Sequence, residues 1–202
     1  MARPFRANAA ATRQRILKAA THLFAMHGAG MTSMRQIAKE AGVVQATIHH
    51  YFESKERLYD ACIEGMVSEF EEERERLAER LRGFPSRVDA VQEAVRLSYR
   101  YLGAHRPAAR LLNRQLLETG DGSHESQQAL TLSLIKTVTE TLSEGSSLDP
   151  KALRIALYGL VCLVVRMAVS EPQEIARIAP GVGRQDLERY LGGIAMRMLG
   201  FS

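Results

Sequence analysis

The sequence contains no tryptophan, and cysteine is nearly absent, with only Cys62 and Cys162 among 202 residues. The two cysteines stand far apart in the chain and form no CxxC pair, so neither a zinc site nor the disulfide framework of a small secreted domain is indicated. We interpret both as buried, small apolar side chains in a reducing compartment. A regulatory disulfide is the less favoured alternative.

Long uncharged apolar runs are also absent. The longest run, Ile155 to Val165, is flanked by Arg154 and Arg166, and it is shorter than the roughly 20 residues that a membrane-spanning helix needs. The segment before Thr12 is basic but has no apolar core of the kind found in secretory signals. We therefore expect a soluble, cytoplasmic protein.

Sequence motifs of common catalytic sites are missing as well. There is no HExxH, GxSxG, GxGxxG or Walker-type loop, and no carboxylate pair stands isolated in an apolar segment. His22 and His27 have no further metal ligands nearby, and the adjacent His49 and His50 would point about 100° apart on a helix. No enzyme activity, cofactor or metal site is expected.

The composition is otherwise that of a globular protein, with 46% hydrophobic and 25% charged residues. The net charge of +4 is unevenly distributed. Residues 1–52 carry seven Lys or Arg against the single acid Glu40, whereas the remaining residues carry twenty against twenty-two. Positive charge therefore collects near the amino terminus, as a phosphate-binding surface requires. On charge alone, an ordinary solvated face is the alternative.

Two short helices joined by a tight turn are predicted between Ser33 and Lys55. Ser33 and Gln36 have the spacing of a capping box at the start of the first helix, and Gly42 can end it in the left-handed conformation. One face of that helix is apolar at helical spacing, through Met34, Ile37, Ala38 and Ala41.

The second helix of the pair is predicted to have an inner and an outer side. The inner side consists of Val44, Ile48, Tyr51 and Phe52, and the outer side consists of Gln45, Ala46, His49 and His50. Such a pair is typical of a helix-turn-helix, whose second helix lies in a DNA major groove.

A longer pattern of residues surrounds this pair. It consists of Thr12, Thr32-Ser33, Ile37-Ala38, Ala41-Gly42-Val43, Thr47, Tyr51-Phe52, Ser54-Lys55-Glu56 and Leu58. In order and spacing, residues 12–58 resemble the DNA-binding domain of the tetracycline-repressor (TetR) family. Val44 departs from the family pattern by replacing a small hydroxyl residue, Gln45 by replacing a frequent basic residue, and His49 by replacing a tyrosine. The departures concern the choice of operator rather than the fold.

The resemblance implies which side chains contact DNA. Positions that usually contact phosphates are occupied by Thr32, Thr47, His49, Tyr51 and Lys55, and positions that usually contact bases by Gln45, Ala46 and His50, with Arg35 as a further candidate. Residue chemistry agrees, because a glutamine amide can pair with adenine and an alanine methyl can meet a thymine methyl. Phosphate contacts set the register, and base contacts select the sequence.

The rest of the chain is predicted to be helical, without strands. A flexible basic arm at residues 1–10 precedes a helix at 12–27, and a long helix runs from Ser54 to about Arg82. Further helices are predicted at 86–105, 107–118, 125–144, 150–170 and 184–199, with a loop at 119–124.

Leu153 to Val169 is apolar nearly all round, and glycines interrupt the last two helical patterns. We infer that these two helices form a two-fold dimer interface, a four-helix bundle made from two chains, as the resemblance also implies. The core of a monomer is the alternative. The resemblance further implies a small-molecule pocket, with candidate lining residues Met66, Phe70, Tyr99, Leu102, Leu116, Tyr158 and Cys162. For each of them, ordinary core packing is the alternative.

Together these observations predict an all-α protein with an N-terminal helix-turn-helix domain at residues 1–53 and a helical effector-binding and dimerisation domain at residues 54–202. The predicted function is a homodimeric transcriptional regulator, a repressor that a small molecule releases from an inverted-repeat operator. One alternative is an architectural DNA-binding protein that ignores ligands. Another is a helical ligand-binding protein that has lost DNA binding.

Overall fold

The computed structural model describes residues 3–84, 86–118 and 149–201, and between them positions 132, 135, 136, 138–140 and 142. Side chains are described in these ranges except at 3–8 and 115–118. Every regular element among the described residues is a helix, which confirms the all-α prediction.

Helix α1 covers Arg3–His27. The prediction of a flexible arm at residues 1–10 is therefore wrong for residues 3–10, which form the first turns of this helix. Two features of the sequence explain the longer helix. Pro4 is compatible with a first helical turn, and the alanines from Ala9 to Ala11 have the highest helix propensity.

Helices α2 (Met34–Ala41) and α3 (Gln45–Phe52) form the predicted pair. The Ser33 hydroxyl accepts the Gln36 N–H at 3.3 Å, and the Gln36 side chain accepts the Ser33 N–H at 2.8 Å, so the capping box is confirmed. Gly42 ends α2 with φ of 64°, the left-handed conformation that was predicted for it.

Three longer helices follow, α4 (Lys55–Leu81), α5 (Arg87–Ala104) and α6 (Arg106–Glu118). Each begins and ends within one or two residues of its predicted bounds. The predicted loop at 119–124 lies outside the described residues. So does most of the predicted helix at 125–144, although the seven positions described within it are helical.

The carboxyl-terminal part contains α7 (Pro150–Val169), α8 (Pro172–Ile178) and α9 (Arg184–Met198). Helix α8 was not predicted, although Pro172 at its first position is a helix-start signal. By length and composition α7 could cross a membrane, with a mean hydropathy of 2.0. One of its faces is nevertheless packed inside the chain, through Leu153, Leu157, Leu160 and Val164.

Two hydrophobic cores are separate in the structure. The first core lies among α1, α2, α3, the first half of α4 and α6, and its fully buried side chains include Ile16, Phe24, Ile37, Ile48, Leu58 and Leu111. The second core lies among α5, α7 and α9, and includes Val95, Tyr99, Leu157, Leu191 and Ala195. The first core extends beyond residue 53, because α4 and α6 pack directly against α1.

Gly42 and Gly65 form a matched pair for testing the turn between α2 and α3. A β-carbon would meet nothing within 4 Å at either position, but Gly42 has a positive φ whereas Gly65 lies inside α4. We expect Gly42→Ala to lower the free energy of unfolding by about 1–2 kcal/mol. Gly65→Ala should raise it by roughly 0.5–1 kcal/mol. Chemical denaturation at one chain concentration measures both, and equal effects would contradict this account of the turn.

Candidate nucleic-acid interface

Helix α3 presents four side chains to solvent. Gln45, Ala46, His49 and His50 are exposed, and we call these four residues the reading face. On the opposite side of the helix, Ile48 is 0% and Phe52 5% exposed in the first core. The predicted outer side is confirmed, and so is the inward position of Ile48 and Phe52.

Val44 is the exception to the predicted inner side of α3. Its side chain is 70% exposed, so the prediction that it faces inward is wrong. The reason is its backbone: Val44 is the N-cap residue, with φ of −80° and ψ of 149°, and therefore lies outside the helical period.

His49 contacts residues at both ends of α3. Its Nδ1 atom lies 3.0 Å from the Glu53 carbonyl oxygen, and its Nε2 atom lies 3.4 Å from the Gln45 amide nitrogen. A carbonyl only accepts, so Nδ1 carries the hydrogen, and Nε2 accepts from the Gln45 amide. This arrangement orients the Gln45 side chain and leaves its carbonyl oxygen and its second N–H for an adenine edge.

Thr32 does not fit its predicted phosphate contact. Its side chain is buried, with 2% exposure. The hydroxyl donates to the Gly28 carbonyl oxygen at 2.8 Å and lies 3.3 Å from the Leu23 carbonyl oxygen. Because the hydroxyl is enclosed by these two carbonyls, Thr32 fixes the connection between α1 and α2 instead of meeting a phosphate.

Lys55 also contacts this connection. Its ammonium group donates to the Ala29 carbonyl oxygen at 2.9 Å. An ammonium has three N–H donors, so this bond occupies one of them and leaves Lys55 able to bind a phosphate as well. The bond holds the ammonium at the loop between α1 and α2.

The first turn of α4, which begins at Lys55, is capped by Ser54. The Ser54 hydroxyl accepts the Arg57 N–H at 3.1 Å. The pKa of Glu56 is lowered mainly by a hydrogen bond from the Glu56 backbone N–H, and to a smaller extent by one from the Ser54 side chain. A charged carboxylate therefore already lies at this helix start, and phosphate attraction there depends on the lysine.

The remaining predicted DNA contacts lie on the same three-helix unit. Arg35 is exposed on α2, whereas Thr47 and Tyr51 are half-buried on α3. The His50 and Tyr51 rings meet edge to face with centroids 5.5 Å apart. The Arg13 guanidinium lies over the Phe52 ring at 5.1 Å, which brings a cation from α1 to the end of α3.

The structure divides the candidate effector residues among different places. Met66 is buried in the first core with Phe70 against it, whereas Tyr99 is buried in the second core with Leu102 beside it. Leu116 belongs to α6 but lies outside the described side chains. Met66 and Phe70 therefore pack in a different core from Tyr99 and Leu102.

Tyr158 and Cys162 are on the outer face of α7. Tyr158 is 57% exposed, and Cys162 is an exposed free thiol. In a single chain both side chains lie on the surface, outside the two cores that hold Met66 and Tyr99. The interpretation of Cys162 as buried is wrong, whereas Cys62 is buried, and burial raises its pKa to about 11.

A groove of about 1100 Å³ lies between the helix-turn-helix unit and the junction of α5 and α6. No sequence pattern indicates this groove, because its walls come from helices that are distant in the chain. Its lining includes side chains of both charges, among them Arg13, Lys18, Glu40 and Glu64, together with His105 and Met66.

Arg110 joins α6 to the end of α7. Its guanidinium donates to the Val169 carbonyl oxygen at 3.1 and 2.9 Å and to Glu171 at 2.5 Å. The hydrogen bond from Arg110, and then its charge, lowers the pKa of Glu171. In the sequence, Arg110 and Arg114 mark a basic face of α6, but no pattern shows that Arg110 meets the end of α7.

Comparison with known proteins agrees with this geometry. Residues 16–62 match the family described as bacterial regulatory proteins, tetR family. The chain is 33% identical over 97 residues to the HTH-type transcriptional repressor KstR2 of Rhodococcus jostii, a match that covers 48% of this chain and 46% of that protein. The chain thus spans less than half the length of this curated relative.

Solved structures resemble the whole fold. A TetR-like transcriptional regulator from Rhodococcus sp. RHA1 is similar with a TM-score of 0.68 and 23% identity, covering 95% of this chain and 97% of that one. The regulator FadR from Bacillus subtilis, in complex with stearoyl-CoA, is similar with a TM-score of 0.67 and 17% identity, covering 94% and 98%. At these identities the likeness concerns the fold.

The sequence match covers the helix-turn-helix and the start of α4, and the structural likeness extends over all the helices. Both point to the same group of proteins. Residues 16–62 carry the helix-turn-helix domain of the tetR family of bacterial regulatory proteins, and the chain has the fold of TetR-like transcriptional regulators.

Proposed function

We propose that the protein is a sequence-specific transcriptional regulator that binds DNA as a homodimer, and that a small-molecule effector releases it from an inverted-repeat operator as a repressor. The observation that carries this proposal is the reading face of α3. Four exposed side chains capable of base or phosphate contact stand on a helix whose other side is held by buried Ile48 and Phe52.

The proposed contacts follow from the positions of the side chains. Gln45, Ala46 and His50 would meet base edges, with Arg35 from α2 as a further base contact. Thr47, Tyr51 and Lys55 would meet phosphates, whereas His49, whose two ring nitrogens bond to Glu53 and Gln45, would hold the Gln45 amide in place. In this proposal residues 1–53 bind DNA and residues 54–202 bind the effector and dimerise, while α4 and α6 connect the two parts through the first core.

The proposed dimer uses an exposed apolar face of α7 and α9. Its side chains are Ile155 (74% exposed), Tyr158 (57%), Tyr190 (52%) and Met198 (37%), together with the exposed Cys162. A β-carbon at Gly159 would lie 3.2 Å from the Met198 methyl carbon, so glycine allows the two helices to approach closely. Exposed apolar surface of this kind marks an interaction site, and a second copy would complete a four-helix bundle.

The proposed effector site lies in the helical domain that follows the helix-turn-helix. The FadR relative was crystallised with stearoyl-CoA, which supports a ligand-accommodating role for this part of the fold. Met66, Phe70, Tyr99, Leu102 and Leu116 remain the proposed lining residues, whereas Tyr158 and Cys162 are assigned to the dimer interface. Such a regulator would act in the cytoplasm, where the chromosome is.

The proposed route from the effector to DNA includes α6 as well as the long α4. Leu111 of α6 is fully buried in the first core, and Arg110 of α6 binds the end of α7. A ligand that displaces α6 would therefore move the helix-turn-helix together with α4. This would change the distance between the two reading faces of a dimer.

Replacing Lys55 tests the phosphate contact. We expect Lys55→Met to weaken binding to all duplexes alike, and to reduce the slope of log affinity against log salt by about 0.9 for each reading face. Titration of random-sequence duplex DNA at several salt concentrations measures this slope. Lys151→Met, at an exposed lysine on α7, is the matched control and should leave the slope unchanged. If Lys55 only holds Ala29, the two variants will have the same slope.

Replacing Gln45 tests base recognition. The wild-type chain should enrich an inverted repeat from a pool of random duplexes. Gln45→Ala should lose preference at one symmetric position of each half-site, by roughly 1–3 kcal/mol, because the amide pair with adenine is removed. Gln14→Ala, at an exposed glutamine of α1, should enrich the wild-type sequence. An unchanged motif with Gln45→Ala would exclude this residue from base recognition.

Two isoleucines of similar exposure test the dimer. Ile155 and Ile178 are 74% and 71% exposed, but only Ile155 lies on the proposed interface. Ile155→Glu should give monomers in sedimentation experiments, and Ile178→Glu should remain dimeric.

Thiol labelling at pH 8 provides a second measure of the same interface. Because burial raises the pKa of Cys62 to about 11, its thiol stays protonated at this pH and labelling reports on Cys162. Cys162 should react faster in Ile155→Glu than in the wild-type protein. A dimer that survives Ile155→Glu with unchanged labelling would place the interface elsewhere.

A further inference from the structure

Val44 occupies an unusual position for an apolar residue. It is the N-cap of α3, it is 70% exposed, and no side-chain hydrogen bond caps the helix there. The next two residues, Gln45 and Ala46, are also exposed. The valine side chain therefore lies at the amino-terminal end of the reading face.

Neither packing nor capping accounts for a valine at this place. Serine caps both neighbouring helices, with Ser33 accepting an N–H at the start of α2 and Ser54 accepting one at the start of α4. A valine cannot accept such a bond, and N-cap preference runs strongly against it. At 70% exposure its methyl groups also gain little from burial. The local fold would thus be served better by serine.

We infer that Val44 is a specificity-determining residue whose methyl groups contact the C5-methyl of a thymine in each operator half-site. This inference rests on the proposed function. An isopropyl group neither donates nor accepts a hydrogen bond, and the apolar group that a base presents in the major groove is the C5-methyl of thymine. Contact with DNA would bury the valine side chain that the free protein leaves exposed.

Ala46 lies beside Val44 at the same end of α3. The two side chains place apolar groups on either side of Gln45 in the sequence, and all three residues are exposed. The start of the recognition helix therefore offers methyl groups together with one amide. This combination matches the major-groove edge of an A·T pair, which presents a methyl group beside hydrogen-bonding atoms.

Deoxyuridine tests the contact, because it removes only the methyl group of thymine. The probe is the inverted repeat that the full-length wild-type chain enriches from random duplexes, with each thymine replaced symmetrically by deoxyuridine. At one position we expect the wild-type affinity to fall by about fourfold for each half-site, as the burial of one methyl group predicts.

Val44→Ser and Val44→Ala separate methyl contact from helix capping. Both remove the two methyl groups, but only serine restores an N-cap. Both variants should bind thymine and deoxyuridine duplexes equally at that position, and Val44→Ser should unfold at a higher denaturant concentration than Val44→Ala. If deoxyuridine weakens the variants as much as the wild type, Val44 does not contact the base. If Val44→Ala binds the two duplexes equally but Val44→Ser still binds the thymine duplex more tightly, the order of the helix start is responsible and not a methyl contact.

5-Methylcytosine presents the same methyl group and forms a second arm of the experiment. Replacing half-site cytosines by 5-methylcytosine should not strengthen wild-type binding. A gain that disappears in Val44→Ser would assign the contact to methylated cytosine and overturn the thymine assignment. If the wild-type chain enriches no sequence at all, the proposed function fails, whereas an enriched repeat without Val44-dependent thymines contradicts only this inference.

Discussion

Burial of Ile48 and Phe52 beneath α1 and α4 is the constraint on which the reading face depends. Because α3 is eight residues long, it would not be a stable helix by itself. Fixing its inner side in the first core turns Gln45, Ala46, His49 and His50 outward together. The hydrogen bonds of His49 then orient the Gln45 amide, so the core determines where the recognition chemistry lies.

The first core also explains how a distant event can reach α3. It is built from α1 to α4 together with α6, which follows α5 in the chain and contributes Leu111. Arg110 binds the end of α7, one of the helices of the proposed dimer interface. The interface, α6 and the helix-turn-helix therefore form one continuous set of packed helices. In the proposed regulator, a ligand among these helices and DNA at the reading face would compete for the position of α6.

Local rules predicted much of this structure, and tertiary contacts account for what they missed. The capping box at Ser33, the left-handed Gly42 and the buried side of α3 follow from spacing and residue type within one or two turns. Burial of the Thr32 hydroxyl, the position of Arg110 and the outer-face position of Cys162 depend on elements far away in the sequence. Val44 was misplaced because helical periodicity was extended to a residue whose backbone is not helical.

In the proposed dimer the two reading faces lie at a fixed distance, so that both enter the same side of the duplex. The most direct measurement compares the affinity of the protein for its operator with the affinity for the same operator carrying five extra base pairs between the half-sites. Adding about half a helical turn places the second half-site on the opposite side of the DNA. The affinity should fall to that for a single half-site. Equal affinity for both duplexes would show that the two reading faces are not held at a fixed distance.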